Sequence, residues 1–422
     1  MAKTIQEVQG LLAQLKQYHA QKIQQQEEWD RVFNLRYPNY LKIVDLPLHV
    51  PSTARDKVKH LRYQVNTNNP IITISPKSQS ADDLKEASRL TALYTAILKA
   101  SRYAEDLDWL DGVIFDLVLR GESVITTLFY ESEEFPVLTR TVDPITVYMP
   151  PGARYPYTFV IEEQRRFASA VSIDYPLWSN PKHRANDRDY ADFLIYWSPE
   201  EKIYMVDGEE VSVPEHGKGG RSNPFHIVPY VHGYSGSGRN NFSGDPANLA
   251  IGTLDGHVSQ LEAEVRARTA LDARLQFGVF PVYGTTDDPK AVAGSMVNKP
   301  GSVIPLSEKN ALWRIERDEL PREAYAFVDM ISNAITEGTM NPVLSGERPA
   351  GVDYGYLYGQ ITNNARRILE PTIRSAEKMV ARTLHNIVKV LRSGLDVAYT
   401  SRDLQRIIGE PVTKRDLEKD IP

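Results

Sequence analysis

The chain has no cysteine, so neither a disulfide framework nor thiolate chemistry is open to it. It has no apolar run near the roughly 20 residues that a membrane helix needs; stretches such as 113–119 are far shorter. It also lacks a positive excess. Lys and Arg number 49 against 55 Asp and Glu, for a formal net charge of −6. Phosphate neutralisation supplies most of the affinity of a static nucleic-acid binder, so this balance argues against one. It is compatible with a protein that DNA slides past, where tight binding would be a hindrance. The opening segment, MAKTIQEVQGLLAQLKQ, is polar and helical and predicts no secretory leader. A soluble, intracellular or particle-borne chain is expected, with no membrane partner.

Catalytic signatures are missing as well. Gly217-Lys218-Gly219 has neither the upstream glycine nor the Ser/Thr of a phosphate loop. In the glycine-rich stretch GYSGSGRNNFSG, Asn241 stands where a dinucleotide fingerprint needs its third glycine, and Ser237 where a nucleophile elbow needs one. His216, His226 and His232 form the only histidine cluster, without metal-ligand spacing. They read as surface or turn residues. The pairs Asp82-Asp83 and Asp287-Asp288 read as caps rather than as a two-metal site. No catalytic residue, metal site or cofactor is expected.

At 422 residues, two or three packed regions are expected. Val8, Leu12, Leu15, Tyr18 and Ile23 predict a helix over 3–35. Ser52 and Ser80 are placed to cap two more, and Gly121 to end a fourth. Residues 71–75, 124–130, 145–148, 158–166 and 193–197, with a hairpin at Asp207-Gly208, predict β structure. The stretch 216–244 reads as a loop, the most flexible part of the chain by its Gly/Ser/Asn content, and 233–244 within it as a flexible linker. Beyond it a helix is predicted over 245–276. A small α/β insertion is expected over 277–317, with a strand at 279–283, a short helix near 289–295 and strands near 302–305 and 312–316, and a second helix over 319–338 with Ala324, Phe327, Val328, Ile331 and Ile335 inward.

The most informative stretch is 318–393. A helix runs into a small-residue loop, MNPVLSGERPAG, and a helix of about forty residues follows, some 60 Å at 1.5 Å per residue. Its expected buried face includes Ile361, Ala365, Ile368, Leu369, Ile373, Ala376, Val380, Leu384, Ile387, Val388 and Leu391. Arg366, Arg367, Arg374, Lys378, Arg382, Lys389 and Arg392 populate the rest. That basic face reads either as the solvated side of a core helix or as subunit ion pairs with an intermittent phosphate-facing stripe. Pro371 falls inside the run, where a missing donor and a clash with the carbonyl four residues back predict a kink.

This order of elements resembles the portal proteins of tailed bacteriophages over nearly the whole chain. The resemblance is carried by pattern: Trp29 in an acidic helix, LRGESVITTLFY at 119–130, VDPITVYMP at 142–150, and helix–insertion–helix–loop–long helix thereafter. It implies an α+β fold with a wing (1–244) and two stem helices (245–276 and 318–339) around a clip (277–317). It further implies a tunnel loop (340–352), a kinked tunnel helix (353–393) and a short C-terminal crown or tail (394–422). Asp353-Tyr354-Gly355-Tyr356 departs from the family's Ser-Gly pair after the loop.

The implied function is structural rather than enzymatic. It is a homo-oligomeric ring in the virion, usually of twelve subunits, assembled in the host cytoplasm at the capsid vertex. Double-stranded DNA would pass through it during packaging and ejection. The large terminase subunit, a head-completion adaptor and the major capsid and scaffolding proteins would be partners. Ser345, Gly346, Glu347, Arg348, Pro349, Ala350 and Gly351 are the expected DNA-channel loop, with Arg366, Arg367, Arg374 and Lys378 as tunnel-helix charges and Pro371 as the kink. Another multimeric head scaffold without a DNA conduit, or a hydrolase or nuclease with a dispersed site, are the alternatives.

Overall fold

The computed structural model describes residues 3–38, 47–65, 70–103, 107–129, 135–175, 178, 189–211, 220–240, 244–279, 283–288, 290, 306–308, 311–314, 322–339, 360–361, 363–364, 366–395 and 400–418. The chain is a mixed α+β protein, 54% helical and 17% strand. Every strand pairing among the described residues is antiparallel, which sets it apart from wound parallel-sheet enzymes. It divides into two compact units, one of residues 1–30, 58–255 and 342–422, the other of 31–57 and 256–341.

Among the described residues the first unit holds two sheets. In the smaller, β1 (Glu122–Phe129) lies between β2 (Val137–Val142) and β8 (Tyr230–Tyr234). The larger runs β3-β4-β5-β6-β7, with β3 Val147–Tyr148, β4 Val160–Phe167, β5 Tyr190–Trp197, β6 Lys202–Val206 and β7 Glu209–Glu210. Asp207 and Gly208, both at positive φ (49° and 85°), make the β6–β7 turn, the primed geometry that matches strand twist.

Four helices come before the strands or alongside them. They are α1 (Ile5–Phe33), α2 (Thr53–Val65), α3 (Ala81–Tyr103) and α4 (Trp109–Leu119). Ser80 Oγ accepts from the Asp83 N–H at 3.2 Å, and Asp108 Oδ1 from the Leu110 N–H at 3.0 Å, each satisfying an orphan first-turn donor. Gly121, at φ 68°, releases the chain from α4 into β1, and the backbone of Ile251 lies where its Cβ would stand. A short helix α5 (Ala168–Asp174) follows β4. Residues 71–75, expected as a strand, have no ladder partner, and Ile71 is exposed.

The stretch read as a loop is partly sheet, with Asn223, Phe225, Val228 to Val231 and Ser235 buried. Its middle is β8, paired with β1 from Glu122↔Tyr234 to Thr126↔Tyr230. The glycines are there for close approach: a Cβ on Gly233 would sit 2.5 Å from Met379 Sδ, and one on Gly236 3.0 Å from Pro371 Cβ. Composition reported backbone freedom; the fold uses it to let a helix lie against a strand.

The second unit contains α6 (Val258–Val279), a two-stranded ribbon of β9 (Tyr283–Thr285) and β10 (Leu312–Arg314), and α7 (Arg322–Thr339). The expected helix over 245–276 begins only at Val258, because Asp245 caps a separate 3-10 turn, Pro246–Asn248. Of the strand expected at 279–283, Val279 ends α6 and Tyr283 begins β9, and 280–282 lie outside the described residues. The insertion's expected helix and strand near 302–305 lie outside the described residues apart from residue 290. On α7, Val328, Ile331 and Ile335 are buried, whereas Phe327, expected inward, is 50% exposed. It lies beside that row, about 100° round the helix from Val328, as the exposed Met330 does from Ile331.

Candidate functional site: a helix on the small sheet and a buried ionic cluster

After a 3-10 turn at Arg367–Leu369 comes α8 (Glu370–Leu395), which packs on β8, β1 and α4. Its buried row, Ala376, Val380, Leu384, Ile387 and Leu391, steps 4, 4, 3, 4, the spacing of one helical face. Polar side chains lock it in register. Asn386 accepts from the Tyr155 hydroxyl at 3.0 Å and donates to the Tyr230 carbonyl at 3.4 Å. Ser375 donates to the Tyr234 carbonyl, and Arg382 lies over the Tyr155 ring at 5.2 Å. Ile368, expected in the buried face, is 70% exposed because the 3-10 turn rotates it out of the row.

Pro371 is the second residue of α8, not a mid-helix residue of an uninterrupted forty-residue run. An α-helical N–H at 371 would have taken the Arg367 carbonyl, and proline has none. The Glu370 N–H takes it instead, which is why the winding there is 3-10. The proline ring then rests on Gly236.

Arg366, Arg367, Arg374 and Lys378 are all exposed, and Glu370 and Glu377 are exposed among them. Arg374 pairs with Glu370 at 2.5 Å, one turn away. Four cations against two anions make a weakly basic face, with Arg374 and Lys378 on α8 and Arg366 and Arg367 just ahead of it. The expected loop residues Ser345, Gly346, Glu347, Arg348, Pro349, Ala350 and Gly351 lie outside the described residues.

A second constellation was not anticipated from the sequence. The buried stripe of α1 runs Val8, Leu12, Leu15, His19, Lys22, Gln26, Trp29, Val32. Its first part packs on Tyr148, Ile161, Tyr196, Ile203 and Met205 of the larger sheet. Its middle is polar yet almost fully enclosed: His19 is 4% exposed, Lys22 1% and Gln26 0%. Lys22 and Gln26 meet Glu122, the first residue of β1, while His19 hydrogen-bonds the Met149 carbonyl. Lys22 Nζ and Gln26 Nε2 each reach Glu122 Oε2 at 2.8 Å, and His232 Nε2 on β8 lies 2.7 Å from Oε1. His232, taken from sequence as a surface or turn residue, is instead a strand residue of β8 whose side chain is 12% exposed.

Burial works against the Glu122 charge, but Lys22 and then His232 hold its carboxyl well below the usual carboxylate range. Burial, reinforced by the Lys22 charge, pushes His19 down to about 4. Next along, Arg120 binds Asp30 of α1 through Nε and a terminal nitrogen at 3.0 and 2.6 Å, and Asp143 at 2.7 Å. Asp116 stands 3.8 Å from the same guanidinium, and burial pushes its carboxyl up to about 7 against the pull of Arg120. The helical register 4, 3, 4, 3 of α1, followed through its polar residues instead of shifted to Tyr18 and Ile23, was the signal for this cluster.

Among the described residues, no group of three or more His, Cys, Asp or Glu is placed to hold a metal ion, and no helix is long and apolar enough to cross a membrane. No protein-family model matches the chain, and no curated protein matches it either.

Proposed function

We propose that this chain is the subunit of a portal ring at the head vertex of a tailed bacteriophage, a structural protein through which double-stranded DNA is packaged and ejected. The observation that carries the reading is the order and chemistry of the last elements. Two helices, α6 and α7, flank a small β ribbon. Beyond the Gly/Pro-rich stretch 340–352, which lies outside the described residues, comes α8, which buries one face on a sheet; Arg374 and Lys378 on it and Arg366 and Arg367 just ahead of it stand in solvent. That suits a wall with a protruding loop better than it suits a catalytic centre.

The physics of translocation favours such a wall. Each phosphate contact releases counterions and tightens binding, so a duplex that must move needs many equivalent, weak contacts. A face where Glu370 and Glu377 dilute the cations supplies those, and repetition around a ring supplies the number. Glu347 and Arg348 would be the polar tips of the loop. In this reading the motor partner hydrolyses ATP, the clip region docks the terminase and later the adaptor, and the wing meets capsid and scaffolding protein.

The test is charge reversal on the exposed face. Particles carrying Arg374→Glu and Lys378→Glu should assemble with normal protein content and lose packaged DNA by about tenfold or more, as expected when several phosphate contacts are removed from every subunit. Normal DNA content in such particles would refute the proposed DNA-facing role of this helix.

A further inference from the structure

Besides its inward row, α7 carries a second apolar row that faces solvent. Seven of its described residues are exposed, 325–327, 329, 330, 333 and 334, and only Asp329 among them is charged. On α8 the exposed residues are Glu370, Pro371, Arg374, Glu377, Lys378 and Ala381, four of them charged. Phe327 is 50% and Met330 60% exposed. With Ala334 they step 3 and 4, the spacing of one helical face. The buried residues Val328, Ile331 and Ile335 each follow one of them in sequence, so this row is left over once α7 is seated. Single exposed apolar side chains are ordinary, whereas a contiguous row marks an interaction surface.

The row also has acidic ends. Positions 323 and 337 fall seven residues either side of Met330 and share its face by register, and both are glutamate. At 1.5 Å per residue they are about 21 Å apart.

The complement lies on α6 of the same unit. That helix buries Leu261, Glu264, Val265, Thr269 and Ala273. Its opposite side is Ala263, Arg266, Ala267, Ala270 and Arg274, all exposed or half-exposed. Arg268, on the inner side, pairs with Glu264; Arg266 and Arg274 have no ion-pair partner among the described residues. These two stand about 12 Å apart along the helix, inside the span of the α7 glutamates. Only methyl side chains separate them, which leaves grooves for the large side chains of another helix.

We propose that the Phe327–Met330–Ala334 face of α7 docks on the Arg266–Arg274 side of α6 in a second copy of this chain. That the occupant is a second copy rests on the ring reading; the choice of faces rests on exposure and charge. Both faces are open while α6 and α7 already pack together, so they meet only between copies. Two unlike faces make a head-to-tail contact, which repeats and closes when the rotation allows. A helix footprint about 21 Å long and about 10 Å wide covers about 200 Å², short of the roughly 800 Å² per partner of a stable interface. The contact is therefore one part of a larger interface, made by each subunit with both neighbours.

The test is a disulfide link between copies, and because the chain has no cysteine every thiol is an introduced one. Full-length Met330→Cys and Ala267→Cys chains are mixed, assembled and mildly oxidised, then read by non-reducing gel and native mass spectrometry. A linked pair is expected from the mixture, and none from either chain alone or from Tyr325→Cys with Ala267→Cys. Adding Phe327→Glu should abolish the link and raise the concentration for half-assembly by about tenfold or more. Arg266→Glu should act in the same direction, and the link itself is read without either variant. A ring that gives no link, or a link between two copies of Met330→Cys, would overturn this pairing and leave the ring reading standing. A link in an assembly that never closes would support the pairing and contradict the ring. Absence of both assembly and link would overturn the two together.

Discussion

Two helices of the first unit bury a stripe of the same period against sheets, and they do so with opposite chemistry. The buried row of α8 is apolar for its whole length, with Thr383 and Asn386 at its side. That of α1 is apolar at both ends and ionic in the middle, through His19, Lys22 and Gln26. Apolar contact is strong but indifferent to a shift of one turn. A Lys22–Glu122–His232 arrangement exists in one register only, and a misplaced copy would leave buried charge unpaired. Stability along α8 is therefore spread over many methyl groups, whereas on α1 it is concentrated on one carboxylate.

The comparison is broken most severely by Glu122→Ala. Removing one partner of a buried pair leaves Lys22 uncompensated, and a loss of about 3–5 kcal/mol is expected in urea unfolding. Lys22→Met combined with Glu122→Gln should recover more than half of it, because neither charge is then stranded. Leu384→Ala on α8 should cost about 2–4 kcal/mol with no such rescue, since its loss is transfer plus cavity.

Acid–base behaviour sharpens the same contrast. For His19 the folded value, about 4, lies below the ordinary 6.5, so the unfolded chain binds more protons between them. Its stability contribution is complete above 6.5 and is lost as pH falls towards 4. Asp116 runs the other way. Its folded value of about 7 exceeds the ordinary 3.8, so stability is lost as pH rises from about 4 through 7. Asp116→Asn should accordingly stabilise the protein at pH 8 by on the order of 1–2 kcal/mol and do little at pH 5. Comparison of urea midpoints at the two pH values reads this directly. The smallest effect on stability is expected from Arg374→Glu, within about 0.5 kcal/mol, because the Glu370 pair is exposed and i,i+4.

The parts of the fold legible in sequence were those decided by local physics. Ser80 and Gly121 act where helix ends need a cap or a positive φ, and the period of α8 showed its core row from Ala376 onward. What escaped was decided by distant chain. The glycines at 233 and 236 look like linker until Met379 and Pro371 are found against them. His232 looks like a turn residue until Glu122, 110 positions away, is found at its ring. Lys22 and Gln26 break the hydrophobic pattern of α1 while remaining in its register, so a search for apolar periodicity passes over them. For the candidate site, the exposed charges of α8 followed from the pattern, and the polar set around Glu122 did not.

The most direct test of the portal account is the mass of the purified chain in solution, by native mass spectrometry with negative-stain imaging of the main species. The account expects a closed ring with a central hole, at about twelve times the 47.7 kDa chain mass. A protein that remains a monomer or dimer, even with its scaffolding partner supplied, would contradict it.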